Sequence, residues 1–267
     1  MNEQHTIWKD LETIRQNKPL VLNVTNVVVT NITANVLLAL GASPAMSVSR
    51  EDIADLTPLA GALVLNMGTP DQEQIKTMEQ GAEKAVEHSV PVVLDPVGAG
   101  ASRIRTETPL AFLKQGWVNI LRGNASEIMA LAGSSDRPRG VDSLHGSDQA
   151  LSAALHLTRD YGCVVCVSGE QDLVVSRDKI MRISNGHAMM TLVTGMGCSS
   201  TCLIAAFAAV NRDFFQAAAG GMAIMGISGQ KAASQAQGPG SLQVHFLDGL
   251  YNFEQNDLQK LQVQYQT

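Results

Sequence analysis

Gly195-Met-Gly197-Cys198 places two close glycines and a thiol where a long apolar segment begins. Two such glycines let backbone N–H groups face one centre, and a helix N-terminus there adds partial positive charge. The result is an anion hole, suited to a phosphate or to a developing oxyanion. It matches neither the Walker P-loop nor the G-x-G-x-x-G dinucleotide fingerprint, because position 200 is serine. Cys198 falls in the first helical turn, and the helix end is expected to lower its thiol pKa. It could act as a covalent nucleophile or as the proton acceptor for a substrate hydroxyl; the plain alternative is a small, inert buried residue.

Three other side chains carry charge at positions with chemical meaning. Asp95 closes an apolar run and precedes Pro96-Val-Gly98-Ala-Gly100. A carboxylate there could hold Mg²⁺ through water or bind a cap. Glu127 could supply a second oxygen, since Mg²⁺ usually takes one or two carboxylates plus phosphate oxygens. It also stands three residues after Asn124, the spacing of a capping box, and the two readings stay open. Arg122 ends a strand, where a guanidinium can clamp phosphates or make a surface salt bridge. Cys163 and Cys166 form a C-x-x-C, but within a run that reads as a buried strand their thiols would point to opposite faces.

The elements that must position these groups alternate. Strands are expected at 20–24, 61–66, 91–95, 117–121, 164–168, 172–176 and 180–184, the last two as a hairpin. Helices are expected at 31–40, ending at Gly41, and at 147–161. Another starts at Thr69-Pro70, with Ile75, Met78, Ala82 and Ala85 on one apolar face. From 195 onward the chain reads as helical to its end. Val92-Val93-Leu94 does not alternate with polar residues, as in parallel strands covered on both faces. The pattern implies an α/β fold with one mostly parallel sheet and right-handed crossovers. Ligands of such sheets bind beyond the carboxyl ends of the strands. Those ends carry Asn23–Asn26, Asn66–Gly68, Asp95–Gly98, Arg122–Glu127, Ser168–Glu170 and the glycine loop.

Composition narrows the function. The 267 residues suit one large α/β domain as well as two small ones. Nineteen Lys and Arg against 25 Asp and Glu give a net charge of −6, with no basic run, so neither nucleic acid nor an anionic membrane is an expected partner. Residues 1–10 lack the pattern of a signal peptide, and a cytoplasmic location with reduced thiols is expected. Only 16% of residues are charged, against roughly 25% in an average soluble domain, which fits either a large core or a surface buried in an oligomer.

Taken together, the segments resemble the hydroxyethylthiazole kinase family of the ribokinase-like superfamily. The resemblance runs through Asn23-Val-Thr-Asn26, Asn31-Ile-Thr-Ala-Asn35, Leu40-Gly-Ala-Ser-Pro-Ala-Met46, Leu94-Asp-Pro-Val-Gly-Ala-Gly100, Arg122-Gly-Asn-Ala-Ser-Glu127, Asn185-Gly-His187 and Thr194-Gly-Met-Gly-Cys198. It implies a single ribokinase-like domain over 1–267, with helices on both sheet faces and a helical C-terminal third. It implies ATP-dependent phosphorylation of the primary hydroxyl of 4-methyl-5-(2-hydroxyethyl)thiazole, for thiamine salvage. Cys198 takes the place of the catalytic aspartate of related sugar kinases. Met46 and Gly195 would contact the thiazole, with Asn26, Val28 and Gly68 lining its pocket. Arg122, Ser168 and Gly197 would meet ATP, and Asp95 and Glu127 would organise Mg²⁺. The family forms homotrimers with the pocket at a subunit interface. The family motif reads Gly-Thr-Gly-Cys where this chain has Met196, and a threonine is usual at Ser168. The competing readings are a cysteine-nucleophile acyl transferase using His187, a nucleotide-binding protein without catalysis, and a hydroxymethylpyrimidine kinase.

Overall fold

Strands that are apolar on both faces can be buried only between two layers. The computed structural model has this arrangement and describes residues 3–133 and 143–266. In chain order the first half comprises α1 (Glu3–Asn17), β1 (Leu20–Val24), α2 (Thr30–Leu40), β2 (Ser43–Met46), α3 (Arg50–Leu56), β3 (Ala62–Asn66), α4 (Gln72–Glu87), β4 (Val92–Asp95) and α5 (Arg103–Lys114). Then follow β5 (Ile120–Asn124), α6 (Ala125–Leu131), α7 (Ser143–Tyr161), β6 (Val164–Ser168), β7 (Asp172–Val175), β8 (Ile180–Ile183), α8 (Met196–Val210), α9 (Phe214–Gln235), α10 (Pro239–Tyr251) and β9 (Val263–Gln266).

The strands form one sheet in the order β2-β1-β3-β4-β5-β6-β7-β8-β9. Pairing is parallel from β2 to β6 and antiparallel from β6 to β9. Val21, Val64, Val93, Ile120, Cys166 and Val174 enter one apolar layer with α1, α2, α8, α9 and α10. Leu22, Leu65, Leu94, Leu121, Val165 and Leu173 enter the other with α3 to α7. Cys163 and Cys166 therefore lie in opposite layers, as their odd spacing requires. Burial raises both thiols, Cys163 to about 12.

Several expectations change. The helix expected from Thr69-Pro70 starts later: Asp71 is its N-cap and accepts the Gln74 N–H at 2.8 Å. Asp is the stronger cap, and Thr69 instead accepts the Val27 N–H through Oγ1. The strand expected at 117–121 is displaced to Ile120–Asn124, and Trp117 packs on Phe112 with ring centroids 5.6 Å apart. The C-terminal third is not wholly helical: β9 pairs with β8 and completes the sheet. At the opposite edge, β2 is a strand without an apolar run, held by its register on β1. The polar start of the chain is a helix that buries Ile7, Leu11 and Ile14 along one face.

Helix α8 lies across the sheet and is itself covered by α9. A Cβ on Gly221 would stand 2.6 Å from the Ile204 backbone nitrogen, so only glycine lets the two helices approach this closely. Gly221→Ala must push α9 off α8 and is expected to cost about 2–3 kcal/mol. A denaturation midpoint unchanged by this substitution would contradict the packing described.

Candidate active site

The sheet pleat selects which strand-end residues meet. Val64, Val93, Ile120 and Cys166 all face the α8 layer. Two residues further along each strand, the same face carries Asn66, Asp95, Arg122 and Ser168. Register aligns Asn66 with Asp95, and Arg122 lies opposite Cys166, two residues before Ser168. Four polar groups thus converge at one end of the sheet because each apolar run stops on the same side.

Helix α8 brings the opposing wall. Cys198, Thr201 and Cys202 follow helical spacing and face these strand ends. Thr201 Oγ1 donates to Asp95 Oδ2 at 2.8 Å, and Cys202 Sγ lies 3.4 Å from Asn23 Oδ1. Asn26 Nδ2 donates to Asn66 Oδ1 at 2.7 Å and stands 3.8 Å from Cys198 Sγ. Asn66 Nδ2 in turn donates to Asp95 Oδ2 at 3.0 Å. A continuous chain of amides therefore joins the thiol to the carboxylate.

The first turn of α8 is left open to an anion. Asp71, Asn124 and Asp213 cap α4, α6 and α9 with side-chain oxygens. The N-cap of α8 is Gly195, at φ +85°, which has no side chain to offer the first-turn N–H groups. A Cβ there would come within 2.8 Å of Ile32 Cγ2. At Gly197 a Cβ would lie 2.7 Å from Arg122 Nη1, so the missing side chain is what admits the guanidinium to the helix end. Met196 is buried in the α8 layer.

Arg122 is 7% exposed. Its Nη2 donates to Ser168 Oγ at 2.6 Å, Nη1 stands 3.9 Å from Asp95 Oδ2, and Nε has no partner among the described residues. A buried cation with unspent donors is costly unless something anionic joins it. Burial pushes Asp95 up to about 6; Arg122 opposes that rise and Glu127 adds to it. Cys198 does not have the lowered pKa expected of a helix end. Burial first, then the Asp95 carboxylate, push it up to about 12 against the hydrogen bonds from Asn66 and Asn26.

Of the residues singled out in the sequence, Cys198, Asn26, Gly68, Asp95, Arg122, Gly197 and Ser168 come together. Gly68 packs on the Asn26 amide and donates its N–H to Asn66 Oδ1. Glu127 adjoins them, but its two oxygens accept the Gly98 and Asn124 N–H groups, both at 2.8 Å, within a complete capping box. Met46 lies at the rim, paired with Asn23, and Val28 is 61% exposed. His187 accepts the Met189 N–H through Nδ1, while amides are the hydrogen-bond donors to Cys198. Asn66, Thr201 and Arg105 had no assigned role. The spacing of Thr201 from Cys198 was a usable signal. Arg105 was not, for it works by holding the backbone oxygens of Met67, Gly68 and Val97.

A model of the hydroxyethylthiazole kinase family matches residues 11–256. The chain belongs to the hydroxyethylthiazole kinase family. The hydroxyethylthiazole kinase of Oleidesulfovibrio alaskensis is 46% identical over 259 residues, 97% of each chain. That of Vibrio parahaemolyticus is 49% identical over 260 residues, 96% of this chain and 98% of its own. A solved hydroxyethylthiazole kinase protein from Pyrococcus horikoshii OT3 superposes with a TM-score of 0.90 at 37% identity, covering 98% of this chain and 99% of that one. A ribokinase-like superfamily protein from Enterococcus faecalis shares the fold at 11% identity and a TM-score of 0.65, over 90% and 89% of the two chains. With the family comes the enzyme class, a kinase that uses ATP, which sets aside the acyl-transferase and non-catalytic readings.

The raised thiol pKa has a direct consequence. Iodoacetamide at pH 8 is expected to alkylate Cys198 roughly a hundredfold or more slowly than an exposed cysteine, since the thiolate reacts. Rapid labelling at that pH, located by peptide mass, would show that the thiol ionises readily.

Proposed function

We propose that this chain transfers the γ-phosphoryl group of ATP to the primary hydroxyl of 4-methyl-5-(2-hydroxyethyl)thiazole, giving the thiazole phosphate used in thiamine salvage. The observation that carries this reading is the buried Arg122 guanidinium, with donors unspent, lying against Gly197 at an uncapped helix end. Phosphoryl transfer proceeds through a loose transition state, so positioning and charge neutralisation dominate. Arg122 and Ser168 hold the nucleotide phosphates, and the first-turn amides of α8, at Gly197 and its neighbours, receive the transferring group. Asn26, Val28, Gly68, Met46 and Gly195 form the thiazole side. Cys198, a thiol at neutral pH, orients the substrate hydroxyl through its sulfur, and the hydroxyl proton passes late to an oxygen of the transferred phosphoryl group, as bonding to phosphorus makes that proton acidic.

The donor set fits a Mg²⁺ ion carried mainly by phosphate oxygens and water. Asp95 Oδ1 is buried with no partner among the described residues, so it is the free oxygen that would hold the ion. Glu127 would reach it through water, its own oxygens being committed to the capping box. Such an ion supplies neutralisation of phosphate charge.

The remaining attributes rest on the same reading. Residues 1–267 act as one catalytic domain, supported by a single sheet that takes strands from residue 20 to residue 266. A homotrimer is supported by Val27, Val28 and Val48, which stand exposed just after Asn26 and Met46. The same reading places the enzyme in the cytoplasm; among the described residues no helix is long and apolar enough to cross a membrane.

The decisive assay follows ATP consumption with thiazole and pyrimidine alcohols, with and without Mg²⁺. Turnover of the thiazole alcohol is expected, and its absence would refute the proposal. Arg122→Lys should lower kcat/KM for ATP by roughly 30-fold, about 2 kcal/mol, because an ammonium cannot reproduce the guanidinium fork. Cys198→Ala should lower kcat by between about 10- and 100-fold, since the sulfur orients the attacking hydroxyl but takes no proton in a loose transition state. Complete loss with intact ATP binding would assign the thiol a larger role.

A further inference from the structure

Asp172 is a buried carboxylate that the mechanism above does not use. It begins β7, opposite Ile183 of β8, and faces the α8 layer because Val174, two residues on, does so. Arg122 and Cys166 lie on that same face. Asp172 is 8% exposed, and its Oδ1 accepts the Gly169 N–H at 3.0 Å. No cation stands within ion-pairing distance of it among the described residues. Burial pushes it up to about 7, against the Gly169 hydrogen bond and the more distant Arg122 charge. For folding alone this arrangement is a poor choice. An apolar residue would suit a buried strand position better, and the strand would lose no ladder bond.

What the carboxylate does hold is the turn between β6 and β7. Gly169 directly follows Ser168, and Asp172 closes the three-residue connection from its far end. Ser168 Oγ takes the 2.6 Å hydrogen bond from Arg122 Nη2 and also lies 3.4 Å from the Gly123 oxygen. Ser168 is the last residue of β6, so the path of the chain immediately after it sets where its hydroxyl points. We propose that Asp172 is a positioning residue for the nucleotide: by accepting the Gly169 N–H it fixes the turn that aims the Ser168 hydroxyl at Arg122, and so orients the guanidinium toward the ATP phosphates. This rests on the reading that Arg122 and Ser168 meet ATP. The role requires an oxygen acceptor at this position and no ionised group, so asparagine can fill it and valine cannot.

The test compares Asp172→Val and Asp172→Asn in the intact enzyme, with KM for ATP, KM for the thiazole alcohol, kcat and the melting temperature measured for each. Asp172→Val keeps the β-branched shape a strand favours and removes the buried acid, so its melting temperature should hold or rise. Its KM for ATP should increase by about tenfold, while kcat and KM for the thiazole alcohol stay within about twofold. Asp172→Asn should restore KM for ATP to within about twofold of the parent. In a Ser168→Ala background, Asp172→Val should add little further, because both act through one hydrogen bond. An unchanged KM for ATP in Asp172→Val, an Asp172→Asn variant no better than it, or multiplicative effects with Ser168→Ala would each overturn the proposal. Should Asp172→Val not fold, Asp172→Ala makes the same comparison. If Ser168→Ala itself leaves KM for ATP unchanged, the phosphate-clamp reading fails and this proposal with it; if Ser168→Ala raises KM for ATP and Asp172→Val does not, this proposal alone fails.

Discussion

A guanidinium held away from water, with its nearest carboxylate oxygen 3.9 Å off, sets the terms for everything around it. At that separation the pair is too loose to neutralise fully, yet close enough for the guanidinium to act on the carboxylate. Arg122 restrains the rise of both Asp95 and Asp172, which burial would otherwise drive further toward the neutral acid. Gly197 gives up its side chain so that the charge can reach a helix end. On the proposed reading, the site is completed electrostatically by a polyanion, which a triphosphate supplies.

Two periodicities build this arrangement from a chain that is otherwise ordinary α/β. The two-residue repeat of the strands turns Asn66, Asp95, Arg122 and Ser168 to one side. The helical repeat of α8 turns Cys198, Thr201 and Cys202 to meet them. Neither repeat is specific to catalysis, and both are enforced by the apolar residues that precede the polar ones. A one-residue slip of β4 against β3 would carry Asp95 into the opposite layer. Packing thus fixes the chemistry to the accuracy of a hydrogen bond without any dedicated scaffold.

Much of this was legible in the sequence. The central strands announce themselves as continuous apolar runs, and the polar residues at their ends mark the functional edge. The glycine loop and the Asn124–Glu127 cap were likewise readable, since both depend on residues close in the chain. What escaped was tertiary. Ser43-Pro-Ala-Met46 is a strand only because β1 offers it partners, and Val263–Gln266 only because Asn185 receives the Gln262 N–H and steers the chain onto β8. Asn66 and Asp172 have no local signature, because their roles consist of what lies opposite them in space. The Cys198 error has the same origin: the helix end argued for a lowered pKa, but burial and an aspartate from a distant strand outweighed it.

The glycine seam between α8 and α9 bears on how turnover proceeds. Ile204 and Gly221 bring the helices into backbone contact, which leaves α8 no room to slide along its axis or to rotate. The amide donors at its first turn are therefore arranged before any substrate arrives, and their configurational entropy is surrendered once, during folding. On the proposed reading, each catalytic cycle then begins with a cradle already shaped for the transferring group.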